Sequence, residues 1–222
     1  MRLPTAPIRA VVFDHDGTMF NTEELYQQVG TELLRRRNKV FTAELLDQMM
    51  GRPPKVSLQL MIDYHGLSDT PLILATETEE IFEGILDREL ATMPGLSELL
   101  AELEARNLPK AIATSSGPRF VRRCLGQFQL EPRFQFILTA EDVVLGKPDP
   151  EIYLTASSRL GVAPHEVLVL EDSANGCRAA VAAGTYTIAI PGGHSHTHDF
   201  SGAAFIADGM HDPRIYQALA VR

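Results

Sequence analysis

The chain contains no tryptophan and only two cysteines, Cys124 and Cys177. Two thiols cannot build a disulfide framework or a cysteine-rich zinc cluster, so a reducing compartment is the simpler expectation. Long apolar runs are missing too: none approaches the ~18 residues of a membrane span. The apolar stretch nearest the N-terminus, Ala10 to Phe13, is too short for a signal peptide and runs straight into Asp14. Positive charge is in short supply. Against 29 Asp and Glu stand 20 Lys and Arg, a net charge of −9, and this disfavours nucleic acid and anionic membrane as partners. A soluble, cytoplasmic protein is expected, with a monomer as the default. What remains is a chain of 222 residues that is 45% apolar, enough for a packed core.

Short apolar runs end in polar or turn residues along the chain: Ala10 to Phe13, Ala111 to Ala113, Phe136 to Leu138, Val167 to Leu170, Thr187 to Ile190 and Ala204 to Ile206. Such runs read as strands buried on both faces of a parallel sheet. Helical patterns lie between them. Leu96, Leu99, Leu100 and Leu103 share one helix face. Asp149 and Pro150 read as the cap and first residue of a helix stopping at Gly161, and Ser173 starts another that stops at Gly184. The alternation predicts an α/β fold, a doubly wound, Rossmann-like parallel sheet. It breaks between about Phe20 and Thr92, where the patterns are helical throughout. The expected organisation is therefore a core of residues 1–20 and 93–222 with a helical cap, residues 21–92, inserted after the first strand.

Ligands of open α/β sheets bind beyond the carboxyl ends of the strands, and the polar residues fall there. The first run ends in Asp14-His15-Asp16-Gly17-Thr18, the fourth in Glu171-Asp172. Carboxylates meeting at one edge repel unless a cation joins them, and a hard, oxygen-preferring ion such as Mg²⁺ suits them. Thr114, Ser115 and Ser116 lead into a helix, where hydroxyls and amides suit a phosphate. Lys147 adds an ammonium able to neutralise one.

In this order, Asp14-His15-Asp16-Gly17-Thr18, Thr114, Lys147-Pro148 and Glu171-Asp172-Ser173, the chain resembles the haloacid dehalogenase-like (HAD) hydrolases. The likeness is to the helical-cap branch, similar to β-phosphoglucomutase and phosphoglycolate phosphatase. The resemblance implies a phosphatase of a small phosphorylated metabolite, of sugar-phosphate or phosphoglycolate type, working through an aspartyl-phosphate. It implies Asp14 as nucleophile and Asp16 as acid and base. Mg²⁺ would be held by Asp14, the backbone carbonyl of Asp16 and Asp172, with Glu171 ligating directly or through water. Thr114, Ser115, Ser116 and Lys147 would hold the phosphoryl oxygens.

Other readings are weaker. Haloacid dehalogenases need neither a second aspartate at 16 nor a metal. A phospho-accepting receiver domain, a signalling module without turnover, lacks both the helical insertion and the Asp-x-Asp step. The phosphomutase of β-phosphoglucomutase type is the nearer rival. It carries a cap histidine where this chain has Tyr26, and an arginine where it has Pro54. Tyr26, Arg52 and Lys55 are the expected readers of the leaving group. Asn21 stands where an aspartate is common at the hinge. His194, His196 and His198 alternate as zinc ligands can, but follow Pro191-Gly192-Gly193 and read as an exposed loop. Leu33 to Arg37 reads as a solvated face rather than a basic patch.

Overall fold

The structure, a computed structural model, describes residues 2–49 and 54–221. Contacts divide the chain into two compact units, Thr22–Leu90 on one side and Met1–Asn21 with Ala91–Arg222 on the other.

Among the described residues, Thr22–Leu90 is all helical: α1 (Thr22–Arg35), α2 (Ala43–Met49), α3 (Pro54–His65) and α4 (Pro71–Glu89). Leu25, Val29 and Leu33 recur at intervals of four on α1 and are fully buried, the stripe that helical periodicity requires of a packed face. That helix packs on α4, whose start is fixed by Thr70. The Thr70 hydroxyl accepts from Ile73 N at 3.4 Å, and Pro71 sits in the first turn, where its missing N–H costs nothing. Just past α1, Arg37 donates to both Asp69 oxygens at 2.9 and 2.7 Å and to Glu77 at 2.6 Å, while Arg36 reaches Glu77 at 2.8 Å. The arginine run is thus spent on ion pairs within the unit.

The other unit carries a parallel sheet: β1 (Ala10–Phe13), β2 (Lys110–Ala113), β3 (Ile137–Leu138), β4 (Val167–Glu171), β5 (Tyr186–Ala189) and β6 (Phe205–Ile206). Its order is β3-β2-β1-β4-β5-β6, with every neighbouring pair parallel. β1, β2, β4 and β5 are buried at every residue, so their sequences are mostly apolar, with Lys110, Glu171 and Thr187 as exceptions, rather than alternating apolar and polar. Helices α5 (Leu96–Ala105), α6 (Pro118–Gln127), α7 (Glu151–Leu160), α8 (Ala174–Ala182) and α9 (Pro213–Leu219) belong to this unit. Leu96, Leu99, Leu100 and Leu103 of α5 are each 0–1% exposed, worth about 1.5–3 kcal/mol apiece in apolar burial before ordering costs. On one face of the sheet Ile152, Tyr153 and Ala156 of α7 and Ala179, Ala180 and Ala183 at α8 pack on Ala10, Val12, Ala111, Val167 and Val169. The small side chains let the helices lie close.

One detail differs from the sequence expectation. α7 begins at Glu151, with Pro150 rather than Asp149 at the cap position, although the Asp149 carboxylate does accept from Glu151 N at 3.0 Å. None of Thr114, Ser115 and Ser116 caps α6. Gly117 holds that position without a side-chain bond, and the Thr114 hydroxyl instead accepts from Ser116 N at 3.0 Å. At the chain junction Asn21 N donates to Ala91 O at 3.1 Å, and Asn21 Oδ1 accepts from Ala91 N at 2.8 Å. Asparagine therefore supplies the acceptor that an aspartate would.

Candidate active site

In the strand order above, the connections run outward in opposite directions from β1 and β4, leaving a crevice at the carboxyl ends of these two neighbours. Asp14 follows β1 directly, and its N–H extends the ladder to Leu170 O at 3.0 Å. Glu171 ends β4, and Asp172 follows it. The fold therefore brings residues some 160 positions apart together by register alone. One carboxylate oxygen from each of Asp14, Glu171 and Asp172 lies within 4.8 Å of the others, and all three residues are buried.

Lys147 joins this group from the loop before α7. Its ammonium, on a side chain 5% exposed, donates to Asp14 Oδ1 at 2.5 Å, Glu171 Oε1 at 2.6 Å and the Ala113 carbonyl at 2.9 Å. That loop is held in turn by Glu151, whose two oxygens accept from Val144 N at 2.9 Å and Leu145 N at 2.7 Å. Burial works against the ammonium charge, yet the Asp14 and Glu171 carboxylates hold it above the ordinary lysine value. Burial, with Glu171 next, pushes the Asp14 carboxyl well above the usual carboxylate range, and Lys147 only partly opposes this.

Glu171 is fully enclosed. Its Oε1 accepts from Lys147 and from the Tyr153 hydroxyl at 2.8 Å, and its Oε2 accepts from Ser173 N at 3.1 Å and Ser173 Oγ at 3.0 Å. Gly176 makes room for it: a Cβ there would stand 1.7 Å from Glu171 Oε1. Ser173 also caps α8, accepting from Gly176 N at 3.0 Å.

Asp16 lies beside this cluster and faces other partners. Its Oδ2 accepts from Ser116 Oγ at 2.6 Å and from Thr114 Oγ1 at 3.3 Å. Gly17, at φ +69°, turns the chain immediately after it. Between the two aspartates, His15 is fully buried, its ring 5.0 Å from that of Phe20 and 5.6 Å from that of Phe120, with Nδ1 3.3 Å from Asp16 Oδ2.

Of the residues expected from sequence, Asp14, Lys147, Glu171 and Asp172 thus form one contiguous group, and Asp16, Thr114 and Ser116 a second at the same sheet edge. Ser115 is exposed. Tyr26 and Lys55 belong to Thr22–Leu90. Tyr26 is 48% exposed and stacks on Phe82 at 4.6 Å, and Lys55 is exposed. Arg52 lies outside the described residues. The loop Gly193–Thr197 is a 3₁₀ turn in which His196 is exposed and Ser195 is buried, its hydroxyl bonded to both Gly192 N and Gly192 O. Tyr153, Gly176 and the Ala113 carbonyl were not anticipated. Tyr153 and Gly176 match the helical periodicity of core residues, and a backbone carbonyl leaves no mark in a sequence.

The donor set fits a hard divalent cation. Three buried carboxylates gather there, only two of them bonded to the Lys147 ammonium, and all offer oxygen; burial first, then the Glu171 charge, raises the Asp14 carboxyl, and a cation among these oxygens would offset that charge.

The sequence pattern of the haloacid dehalogenase-like hydrolases matches residues 11–190, and the chain belongs to that family. It is an enzyme of the phosphoric monoester hydrolase class. It is 32% identical over 177 residues to a phosphorylated carbohydrates phosphatase of Thermotoga maritima, covering 80% of this chain and 82% of that one. It is 34% identical over 192 residues to the mitochondrial (DL)-glycerol-3-phosphatase 1 of Arabidopsis thaliana, covering 83% and 64%. Among solved structures, a Thermotoga maritima protein provisionally described as a beta-phosphoglucomutase superposes with a TM-score of 0.81 at 28% identity, over 94% of this chain and 98% of the other.

Proposed function

We propose that this protein is a Mg²⁺-dependent phosphatase of a small phosphorylated metabolite, of sugar-phosphate, glycerol-phosphate or phosphoglycolate type, and that it works through an aspartyl-phosphate on Asp14. The observation carrying this reading is the Lys147 ammonium bonded to both Asp14 and Glu171 at the crevice between β1 and β4, with the Thr114 and Ser116 hydroxyls on Asp16 at the same sheet edge. The names of the relatives support the substrate class.

Asp14 attacks phosphorus through a carboxylate oxygen, and the bond from phosphorus to the ester oxygen breaks. Asp16 gives its proton to that leaving oxygen. A water then attacks the phosphorus of the aspartyl-phosphate while Asp16 takes its proton, releasing inorganic phosphate and the Asp14 carboxylate. Thr114, Ser115, Ser116 and Lys147 hold the non-bridging oxygens, where fixed donors do most of the work in phosphoryl transfer. A phosphate entering must take the Thr114 and Ser116 hydroxyls from Asp16, which frees that carboxyl for proton transfer. Asp14, Asp172 and the Asp16 carbonyl would hold Mg²⁺, with Glu171 ligating directly or through water. When bound, Mg²⁺ supplies charge neutralisation at the phosphoryl group.

Thr22–Leu90 is the substrate-selecting cap in this reading, with Tyr26, Arg52 and Lys55 as its candidate readers. Its composition gives 13 acidic and 7 basic residues, −6 of the total −9, so attraction of a phosphate is local, through Lys147 and the cation. No described helix is long and apolar enough to cross a membrane. Both cysteines are buried and form no disulfide, which supports a cytoplasmic setting, with a monomer as the simplest state. A panel of phosphorylated metabolites, each assayed with MgCl₂ and with EDTA, tests the proposal. Release of phosphate that survives EDTA overturns the metal dependence. Glucose-1-phosphate turned into glucose-6-phosphate transfers the protein to the mutases.

A further inference from the structure

Tyr153 is fully buried on the first turns of α7, with its hydroxyl donating to the same Glu171 oxygen that receives Lys147. Its ring lies under the lysine as well, with Nζ 5.0 Å from the centroid, within cation–π range. One side chain therefore touches both members of the Lys147–Glu171 pair. A tyrosine needed only for packing has no use for a donor aimed at a buried carboxylate. Phenylalanine fills nearly the same volume, and a buried phenol without a partner is costly.

We propose that Tyr153 is a positioning residue for Lys147. Its hydroxyl fixes the Glu171 carboxylate, and its ring supports the ammonium, so that the lysine is held against Asp14 and the Ala113 carbonyl rather than swinging free. Four donors, from Lys147, Tyr153 and Ser173 (N–H and hydroxyl), share the two Glu171 oxygens. Losing the phenol frees one side of the carboxylate while Ser173 still holds the other, and the slack is passed to the lysine. Burial, with Glu171 next, keeps the phenol well above the ordinary tyrosine value, so it remains a donor. The inference about geometry stands on the hydrogen bonds. Its consequence for catalysis rests on the phosphatase reading above.

The test is Tyr153→Phe in the full chain, with two readouts. The first needs no substrate: competitive acetylation by acetic anhydride, followed peptide by peptide, with buried Lys110 and exposed Lys55 as internal references. Lys147 should become acetylated about tenfold faster in the variant while Lys110 and the melting temperature stay unchanged. The second is kcat and KM with p-nitrophenyl phosphate and MgCl₂, in wild-type and Glu171→Gln backgrounds. In the wild-type background kcat should fall about tenfold with KM within about twofold, the scale of one lost bond to a charged group. In the Glu171→Gln background the same change should cost little. An unchanged Lys147 rate, or equal losses in both backgrounds, overturns the proposal. A faster Lys147 with no effect on turnover overturns the consequence for catalysis and confines Tyr153 to structure, whereas a wild type that turns over no monoester leaves the positioning intact and counts against the phosphatase reading instead.

Discussion

Cations meet pairs of carboxylates in both units, with opposite results. In Thr22–Leu90, Arg37 lies between Asp69 and Glu77, at side-chain exposures of 15–20%, and its hydrogen bonds hold both carboxyls below their usual range. In the sheet unit, Lys147 lies between Asp14 and Glu171, at 0–9%, and Asp14 is pushed well above it. Distances are similar, so geometry does not account for the contrast. Burial and charge count do. The arginine network is near balance and close to solvent, whereas the lysine is bonded to two carboxylates of an enclosed group of three. Stability is the product of the first arrangement, and an unmet demand for positive charge is the product of the second.

Breaking the sheet-unit side has the largest expected effect. Asp14→Asn should lower kcat by about 10⁴-fold or more, since it removes the oxygen proposed to attack phosphorus. Because it also removes a crowded buried charge, its melting temperature should match or exceed the wild type's in a thermal scan. Lys147→Met follows, with kcat/KM down about 10²–10³-fold, the scale of one lost electrostatic contact to the transferring group. Residual activity near wild type would place the lysine outside the reaction. Gly176→Ala should displace Glu171, because the added Cβ has no room. A kcat loss of about tenfold or more together with about 1–3 kcal/mol of stability is expected by urea unfolding. Wild-type values on both measures would mean that Glu171 is free to move.

The arginine side should respond in stability alone. Arg37→Ala should cost about 1–2 kcal/mol by urea unfolding, discounted for its partial exposure, and leave kcat on p-nitrophenyl phosphate unchanged. Asp69 and Glu77 are depressed in the folded state, so their contribution is complete above the ordinary carboxylate range. It fades as pH falls through the lowered folded values. The gap between variant and wild type should therefore be full at pH 7 and close at strongly acidic pH. A gap that widens in acid would contradict the assignment.

The carboxylates were legible from sequence because a parallel sheet puts every strand's carboxyl end on one edge. Asp14, Asp16, Glu171 and Asp172 each follow an apolar run, so topology converts sequence position into proximity. Strand limits shifted by a residue, as at Lys110 and Tyr186, because the ladder begins one residue ahead of each predicted run, where Lys110 pairs with Val11 and Tyr186 with Leu168. Tyr153 stayed hidden, since its spacing with Ile152 and Ala156 is that of any core face and a hydroxyl's target is set by tertiary packing. Gly176 was hidden for a similar reason: the Glu171 carboxylate that forbids a Cβ folds back over the start of α8, a side-chain placement that sequence spacing does not show. The engagement of Ser116 with Asp16 joins residues 100 apart, which no local pattern encodes.

The central claim is that Asp14 carries the phosphoryl group. Wild-type protein mixed with p-nitrophenyl phosphate and MgCl₂, quenched in acid during the first turnover and mapped by peptide mass, tests it most directly. The expected result is one phosphoryl group on the peptide containing Asp14, absent from Asp14→Asn. Turnover with the phosphoryl group on another residue, or undiminished turnover in Asp14→Asn, would contradict the account.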